Sequence, residues 1–263
     1  MELVVVIPCH RRWDLLPGAI AASAPHPVIV VDDAPPDLEH ADPEGATVVR
    51  TTGSLGFARA VNAGLRAAEA QGATHALLLN DDAAPAPGCI AQLCAAWDTG
   101  VGAVGPLLVD EAGQIESAGA RLSWWGRVRL AQQAPAGTVD VDALSGACLL
   151  VSASARLDEG FTHGFEDFAL CRSLRASGRR VLLVGGAQCV HRGGATLGRR
   201  SRAAQRHAVS GHLRLLGRRR FLPVVVGLAL AQVAREGGPA ERVVGVADGV
   251  RDWWSGRRRG GLA

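Results

Sequence analysis

The chain has 263 residues, 48% hydrophobic and 20% charged, a composition that suits a globular protein with a full core and excludes an intrinsically disordered one. No stretch reaches the roughly 20 unbroken apolar residues of a membrane span, and an acid, Glu2, precedes the first apolar run where a signal peptide carries basic residues. Net charge is only +3, but residues 1–191 hold 13 Arg against 21 acids and residues 192–263 hold 15 Arg against 4, which predicts an acidic, cytoplasmic body with a basic C-terminal appendage.

Leu3–Pro8 (LVVVIP) and Val28–Asp33 (VIVVDD) are β-branched, unalternated and bounded by turn residues. Such runs read as strands covered on both faces, as in a parallel sheet. Trp13–Ala22 between them predicts a helix, and Gly45–Arg50 a third strand. Gly56–Gly72 places Phe57, Val61, Leu65 and Ala68 on one face and closes on a glycine, the pattern of an amphipathic helix. A strand ending at Asn80 follows, and this βαβ alternation predicts a doubly wound α/β sheet. Val101–Leu108 and Ser145–Ser152 read as further strands separated by hairpin turns and a loop. Phe165–Gly178 is a helix with an acidic first turn, and Arg179–His191 a strand. The six cysteines show no C-x-x-C pair and read as small core residues.

Arg192–Arg220 carries nine Arg and no acid, which sets a boundary near residue 195. The apolar tail Arg218–Arg235 is too short to span a bilayer. It reads either as an interfacial helix on anionic lipid or as a helix packed on the body or on a second subunit, and Pro223 and Gly227 argue against one regular helix. Little aromatic interleaving and no recognised module accompany the arginines, so nucleic acid is not the expected partner.

Ligands of open α/β sheets bind beyond the carboxyl ends of the strands. Three strand ends are polar here: Pro8-Cys9-His10-Arg11, Asp32-Asp33 and Asn80-Asp81-Asp82. Adjacent carboxylates after a buried strand repel each other unless something neutralises them. A hard cation, Mg²⁺ or Mn²⁺, would do so, sharing its coordination between protein oxygens and substrate phosphates. Asn80 and Asp82, two apart at a strand end, are placed to supply two such oxygens.

Read in order, the segments VVVIPCHRR, VIVVDDAPPD, GSLGFARAVNAGL, LLLNDDAAPAPGCIAQL, LSGACLLVSA and FEDFALCRSLRASGRRVLLVGGAQCVHRGGAT resemble the motif series of the family 2 (GT-A fold) glycosyltransferases, especially the rhamnosyltransferase-like members. The likeness covers roughly residues 3–197, with His10 where Asn is commoner, Ser54 replacing the usual Asn, and Ala169 replacing the second Asp of an E-D-x-D-L pattern. The resemblance implies a GT-A domain over residues 1–195, its nucleotide-binding half about 1–110 and its acceptor-binding half about 111–195, followed by a basic helical extension over 196–263. It implies transfer of a sugar, with inversion, from a nucleoside-diphosphate sugar to an acceptor hydroxyl on a glycan, a lipid-linked intermediate or a small molecule. In that scheme Pro8, His10, Arg11, Asp32 and Asp33 border base and ribose, with Asp33 on the nucleobase. Gly53 and Gly56 let the backbone approach the nucleotide, Arg59 reaches the diphosphate, and Asn62 and Asp81 add donor contacts. Asn80, Asp82 and His191 hold the metal. Asp167 is the general base, with Trp124, Trp125, Gly146 and Glu166 on the acceptor side.

Simpler readings stand beside these. Glu166-Asp167 opens a helix, where the dipole favours acids in any protein. Asp32-Asp33 also suits a strand-end turn, His191 a surface imidazole, and Trp124-Trp125 a covered hydrophobic edge. A nucleotidylyltransferase should carry a Gly-rich loop with Arg and Lys after the first strand, and PCHRRWDLL has neither glycine nor lysine. A non-catalytic nucleotide-sugar-binding or scaffold protein of the same fold remains the alternative.

Overall fold

The computed structural model describes residues 1–122, 128–161, 164–192, 201–217, 222–235 and 240–259. They form two compact units.

The first unit is built on a sheet that begins with β1 (Leu3–Cys9), β2 (Val28–Asp32), β3 (Thr47–Arg50) and β4 (His75–Leu79). These strands pair in parallel in the order β4-β1-β2-β3, and every residue of β2 is buried, as the unalternated sequence requires. A short β5 (Ala83–Pro85) follows, then β6 (Val101–Val109), β7 (Ile115–Ser117), a small hairpin of β8 (Ala120–Leu122) and β9 (Val128–Leu130), β10 (Thr138–Asp140), β11 (Cys148–Ser152) and β12 (Arg180–His191). The order continues β10-β12-β6-β11-β4, with β12 parallel to β6 and β11 antiparallel to both of its neighbours. Because β11 runs backwards, its start lies beside the C-terminal end of β4: Cys148 is opposite Leu79.

Helices cover both faces of this sheet. Val4, Val6, Ile29, Val31 and Leu78 pack with Val61, Leu65 and Ala68 of α2 (Phe57–Ala70) and with Leu170 and Cys171 of α4 (Glu166–Ala176). Val5, Ile7, Val30, Leu77 and Leu79 pack on the other face with Leu16 and Ala19 of α1 (Leu16–Ala22) and with Ile90 and Leu93 of α3 (Cys89–Ala95). Strand alternation thus divides one apolar run between two cores. Gly64 of α2 lets that helix lie close on the sheet, since a Cβ there would come 2.3 Å from a methyl of Val6. All six cysteines are free thiols, and five are buried.

The second unit contains α5 (Arg202–Leu216), α6 (Leu222–Arg235) and α7 (Ala240–Arg259) around Val209, Leu213, Val225, Ala229, Val246 and Trp253. Ser201 caps α5 by accepting the Ala204 N–H at 3.0 Å, and Gly217 ends it at φ +67°. The arginines of α5 are paired while remaining about half exposed: Arg202 meets Asp248 at 2.6 Å, and Arg206 meets Asp252. Contrary to the expectation from Pro223 and Gly227, α6 is one helix. Pro223 sits in its first turn, where a missing N–H costs nothing. No helix among the described residues is long and apolar enough to cross a membrane.

The two compact units do not part at a single point of the chain. Residues 158–161 and 164–166, assigned by sequence to the acceptor half, group with the C-terminal helices. Arg214 of α5 pairs with Asp158 at 2.8 Å and lies over the Phe161 ring at 5.3 Å, and Phe165 stacks on His212 at 5.4 Å.

Candidate functional site

The polar strand ends foreseen from sequence do gather at the carboxyl edge of the first unit's sheet. Asp32 ends β2 and lines a cleft of about 590 Å³ together with Pro36, His40, Arg50, Thr51 and Gly53. Its Oδ1 accepts the Ala34 N–H at 3.1 Å, while Oδ2 faces His40 Nε2 at 3.4 Å and Arg50 Nε at 3.6 Å. The His40 ring stacks on Trp13, with centroids 3.4 Å apart. His40 and Arg50 escape a reading of the sequence because each lies alone, with no motif around it.

Asp33 plays a different part from the nucleobase contact expected of it. Its Oδ1 accepts from the Thr51 hydroxyl at 2.6 Å and the Leu55 N–H at 2.9 Å, and its Oδ2 from the Gly56 N–H at 3.0 Å. The carboxylate is therefore committed to the loop before α2, which leaves Asp32 as the acid on the cleft wall. That loop needs its glycines: Gly53 sits at φ +86°, where an added Cβ would lie 2.7 Å from the Ala34 carbonyl oxygen. His10 Nδ1 donates to the Asp33 carbonyl at 2.8 Å, Pro8 lies opposite Val31 in the β1–β2 ladder, and Arg11 is exposed. Arg59 is exposed on the first turn of α2.

Asn62, expected among the donor contacts, has a structural role. It is 2% exposed, its Nδ2 donates to the Leu157 carbonyl at 2.9 Å, and its Oδ1 accepts the Leu157 N–H at 2.8 Å. The amide holds α2 to the segment after β11 and is buried away from solvent.

The end of β4 brings Asn80, Asp81, Asp82 and His191 together. β5 pairs with the end of β12, setting His191 opposite Ala83. His191 Nε2 lies 3.4 Å from both Asn80 Nδ2 and Asp82 Oδ1. Burial opposes the charge on Asp82, but the neighbouring imidazole outweighs it and holds the carboxyl below its ordinary value. Burial likewise works against the imidazolium, yet Asp82 and Glu116 raise His191 above its ordinary value. Asp81 stands apart from this pair: burial, together with the Asp82 charge, pushes its carboxyl up to about 6, beside the Cys9 thiol.

Two atoms test whether a cation fits. Asn80 Oδ1 is buried without a hydrogen-bond partner among the described residues, and the buried Asp82 Oδ1 meets the His191 ring at 3.4 Å; the unsatisfied amide oxygen costs free energy unless a ligand engages it. Among the described residues, no group of three or more His, Cys, Asp and Glu side chains is arranged to hold a metal ion by itself. The residues present fit an ion that takes two oxygens and one imidazole from the protein and the rest of its shell from phosphates and water.

Asp167 lies in the first turn of α4. Its Oδ2 accepts the Gly146 N–H at 2.8 Å and its Oδ1 the Phe168 N–H at 2.8 Å. Burial raises its pKa above the ordinary value despite these donors, the direction that suits a base working near neutrality. Gly146 admits this approach, since a Cβ there would sit 3.3 Å from the Asp167 Cβ and 3.6 Å from the Phe57 ring. The next residue, Ala147, accepts the Asn80 N–H at 3.0 Å. Glu166 is buried, 5% exposed. Trp124 and Trp125 lie outside the described residues.

No curated protein matches the sequence. Among solved structures, GalNAc-T7 crystallised with UDP, GalNAc and Mn²⁺ is similar at a TM-score of 0.59 and 17% identity over 72% of this chain, which spans only 43% of that one. The mannosyltransferase PcManGT from Pyrobaculum calidifontis, solved with GDP-Man and Mn²⁺, is similar at a TM-score of 0.54 and 15% identity, covering 99% of this chain and 76% of that one. At such identities the likeness is one of fold. The sequence model of glycosyl transferase family 2 matches residues 4–155, more than half of the chain. The chain belongs to glycosyl transferase family 2 and has the GT-A fold.

Proposed function

We propose that this protein is an inverting glycosyltransferase that uses a nucleoside-diphosphate sugar and a divalent metal to glycosylate an acceptor hydroxyl. The observation that carries the reading is the gathering of the buried, unpartnered Asn80 Oδ1 with the buried Asp82 carboxylate and His191, at the same sheet edge as the Asp32 cleft and Asp167. The nucleotides and Mn²⁺ held by the two similar structures support it. Six free cysteines fit the reducing compartment expected for a cytoplasmic protein.

In this reading the nucleobase occupies the Asp32 cleft, where the carboxylate accepts a ring N–H and Arg50 donates to a neighbouring carbonyl. Backbone at Gly53 and Gly56 lies against the nucleotide, and the N-terminus of α2 favours its negative charge. Asn80, Asp82 and His191 hold Mg²⁺ or Mn²⁺, which when bound neutralises charge on the departing diphosphate. Asp167 accepts the proton of the acceptor hydroxyl as its oxygen forms a bond to the anomeric carbon. The bond from that carbon to the diphosphate oxygen breaks on the opposite side, and the anomeric centre inverts.

The test is a panel of nucleotide sugars screened by thermal shift with and without Mn²⁺, followed by assay of nucleoside-diphosphate release from each binder. Metal-dependent binding with turnover supports the proposal. Saturable binding with no consumption of any donor, across a broad set of acceptors, identifies a non-catalytic binder instead.

A further inference from the structure

The sheet brings a second carboxylate to His191. Glu116 lies on β7, which pairs antiparallel with β6, and β6 runs parallel to β12, where Val190 faces Val109. Glu116 is thereby carried to the far side of the imidazole, with Oε2 3.2 Å from Nδ1. The opposite ring nitrogen, Nε2, is the one that faces Asn80 and Asp82. Both side chains are largely covered, at 18% and 20% exposure for His191 and Glu116.

We infer that Glu116 is a positioning residue, which orients His191 so that Nε2 is presented to the divalent cation beside Asn80 and Asp82. This inference rests on the metal reading proposed above. A carboxylate can only accept, so the nitrogen against Glu116 carries a hydrogen, and a cation between Asp82 and Nε2 would displace the proton that Nε2 otherwise shares with the Asp82 carboxylate. An imidazole with no partner on Nδ1 would otherwise be free to rotate and to share its proton between two tautomers. Glu116 fixes both, the arrangement that commonly supports metal-bound histidines. Glu116 itself stays out of the ion's shell, because it contacts the nitrogen on the ring edge away from Asp82. The side chain is missed in sequence because QIES sits in a segment that reads as turns and loop, 75 residues from its partner.

The experiment is Mn²⁺ binding alone, measured by the loss of free-ion paramagnetic resonance signal, on wild-type protein, Glu116→Ala, Glu116→Gln, His191→Ala and the double variant Glu116→Ala/His191→Ala. Thermal melting checks each fold. Glu116→Ala should weaken Mn²⁺ by about 10–100-fold. Glu116→Gln, which keeps an acceptor oxygen, should recover part of that loss and stands in if the alanine variant does not fold. The double variant should bind no more weakly than His191→Ala, since Glu116 acts only through the ring. Further weakening in the double variant would make Glu116 a direct ligand and overturn the inference. A Glu116→Ala protein that binds as the wild type does while His191→Ala is impaired overturns it and leaves the metal reading intact. A wild-type protein that takes up no Mn²⁺ removes both.

Discussion

Asn62 holds both backbone polar groups of Leu157, donating to its carbonyl at 2.9 Å and accepting its N–H at 2.8 Å, across 95 residues of sequence. The clamp is buried, so Asn62→Ala strands a donor and an acceptor, each at a cost of about 1–3 kcal/mol. The variant should be clearly destabilised in chemical denaturation and should still bind its donor with wild-type affinity below the transition. Lost donor affinity at unchanged stability would return Asn62 to the nucleotide.

Removing the carboxylate at Asp82 should abolish metal dependence without unfolding the protein. Asp82→Ala is expected to bind nucleotide equally weakly with Mn²⁺ or with a chelator in calorimetry, and its melting temperature without metal should stay near that of the wild type. A Mn²⁺-dependent gain in affinity that survives the substitution places the ion elsewhere.

Asp167→Asn separates binding from chemistry. The amide keeps the size of the side chain and an oxygen for the Gly146 N–H but cannot take a proton. Donor affinity should be retained and transfer should fall by about 10²–10⁴-fold, the usual worth of a positioned base. Burial raises the carboxyl above 3.8, the ordinary aspartate value. Since the base works only when ionised, kcat/KM should fall on acidification at a pH above that value. This acid limb should be absent from the residual activity of Asp167→Asn. A wild-type rate in the variant would reduce Asp167 to a helix-terminus acid.

The second unit should be sensitive to a single methyl group. Gly249 of α7 lies so close to α5 that an added Cβ would be 2.5 Å from the Arg206 carbonyl oxygen. Alanine in a helix normally gains up to about 1 kcal/mol over glycine. Overpacking costs about 1–3 kcal/mol, so the steric term should win. Gly249→Ala should unfold at lower denaturant concentration than wild type, whereas Gly227→Ala, with nothing within 4 Å of its Cβ, should not.

Much of this molecule is legible in its amino-acid sequence. β1, β2, α2 and β4 fall within a few residues of their predicted bounds, because buried parallel strands and an amphipathic helix leave unmistakable apolar patterns. The convergence of Asp32, Asn80 and Asp82 follows from the rule that such sheets bind at their carboxyl ends. What sequence does not resolve is which of two neighbours faces outward. Asp32 and Asp33 are chemically identical, and only the loop hydrogen bonds from Thr51, Leu55 and Gly56 separate them. The clamp made by Asn62 is invisible for the opposite reason, since an amide in a binding motif and an amide clamping a backbone look alike until the partner 95 residues away is known. Glu116 and His40 are held in place by long-range pairing and stacking, which leave no local periodicity to read.

The reversal of β11 reaches beyond the sheet. Because that strand begins where β4 ends, two consecutive residues fasten the two halves of the chemistry: Gly146 donates to Asp167, and Ala147 accepts from Asn80. The group that would take the nucleophile's proton and the strand end that would face the leaving group are thus indexed to each other across one peptide unit. Their spacing is set by two hydrogen bonds to adjacent residues of one strand start. Acceptor specificity can then diverge through the surrounding segments without detuning the reaction, whereas one residue inserted between Gly146 and Ala147 would put the base and the leaving group out of step.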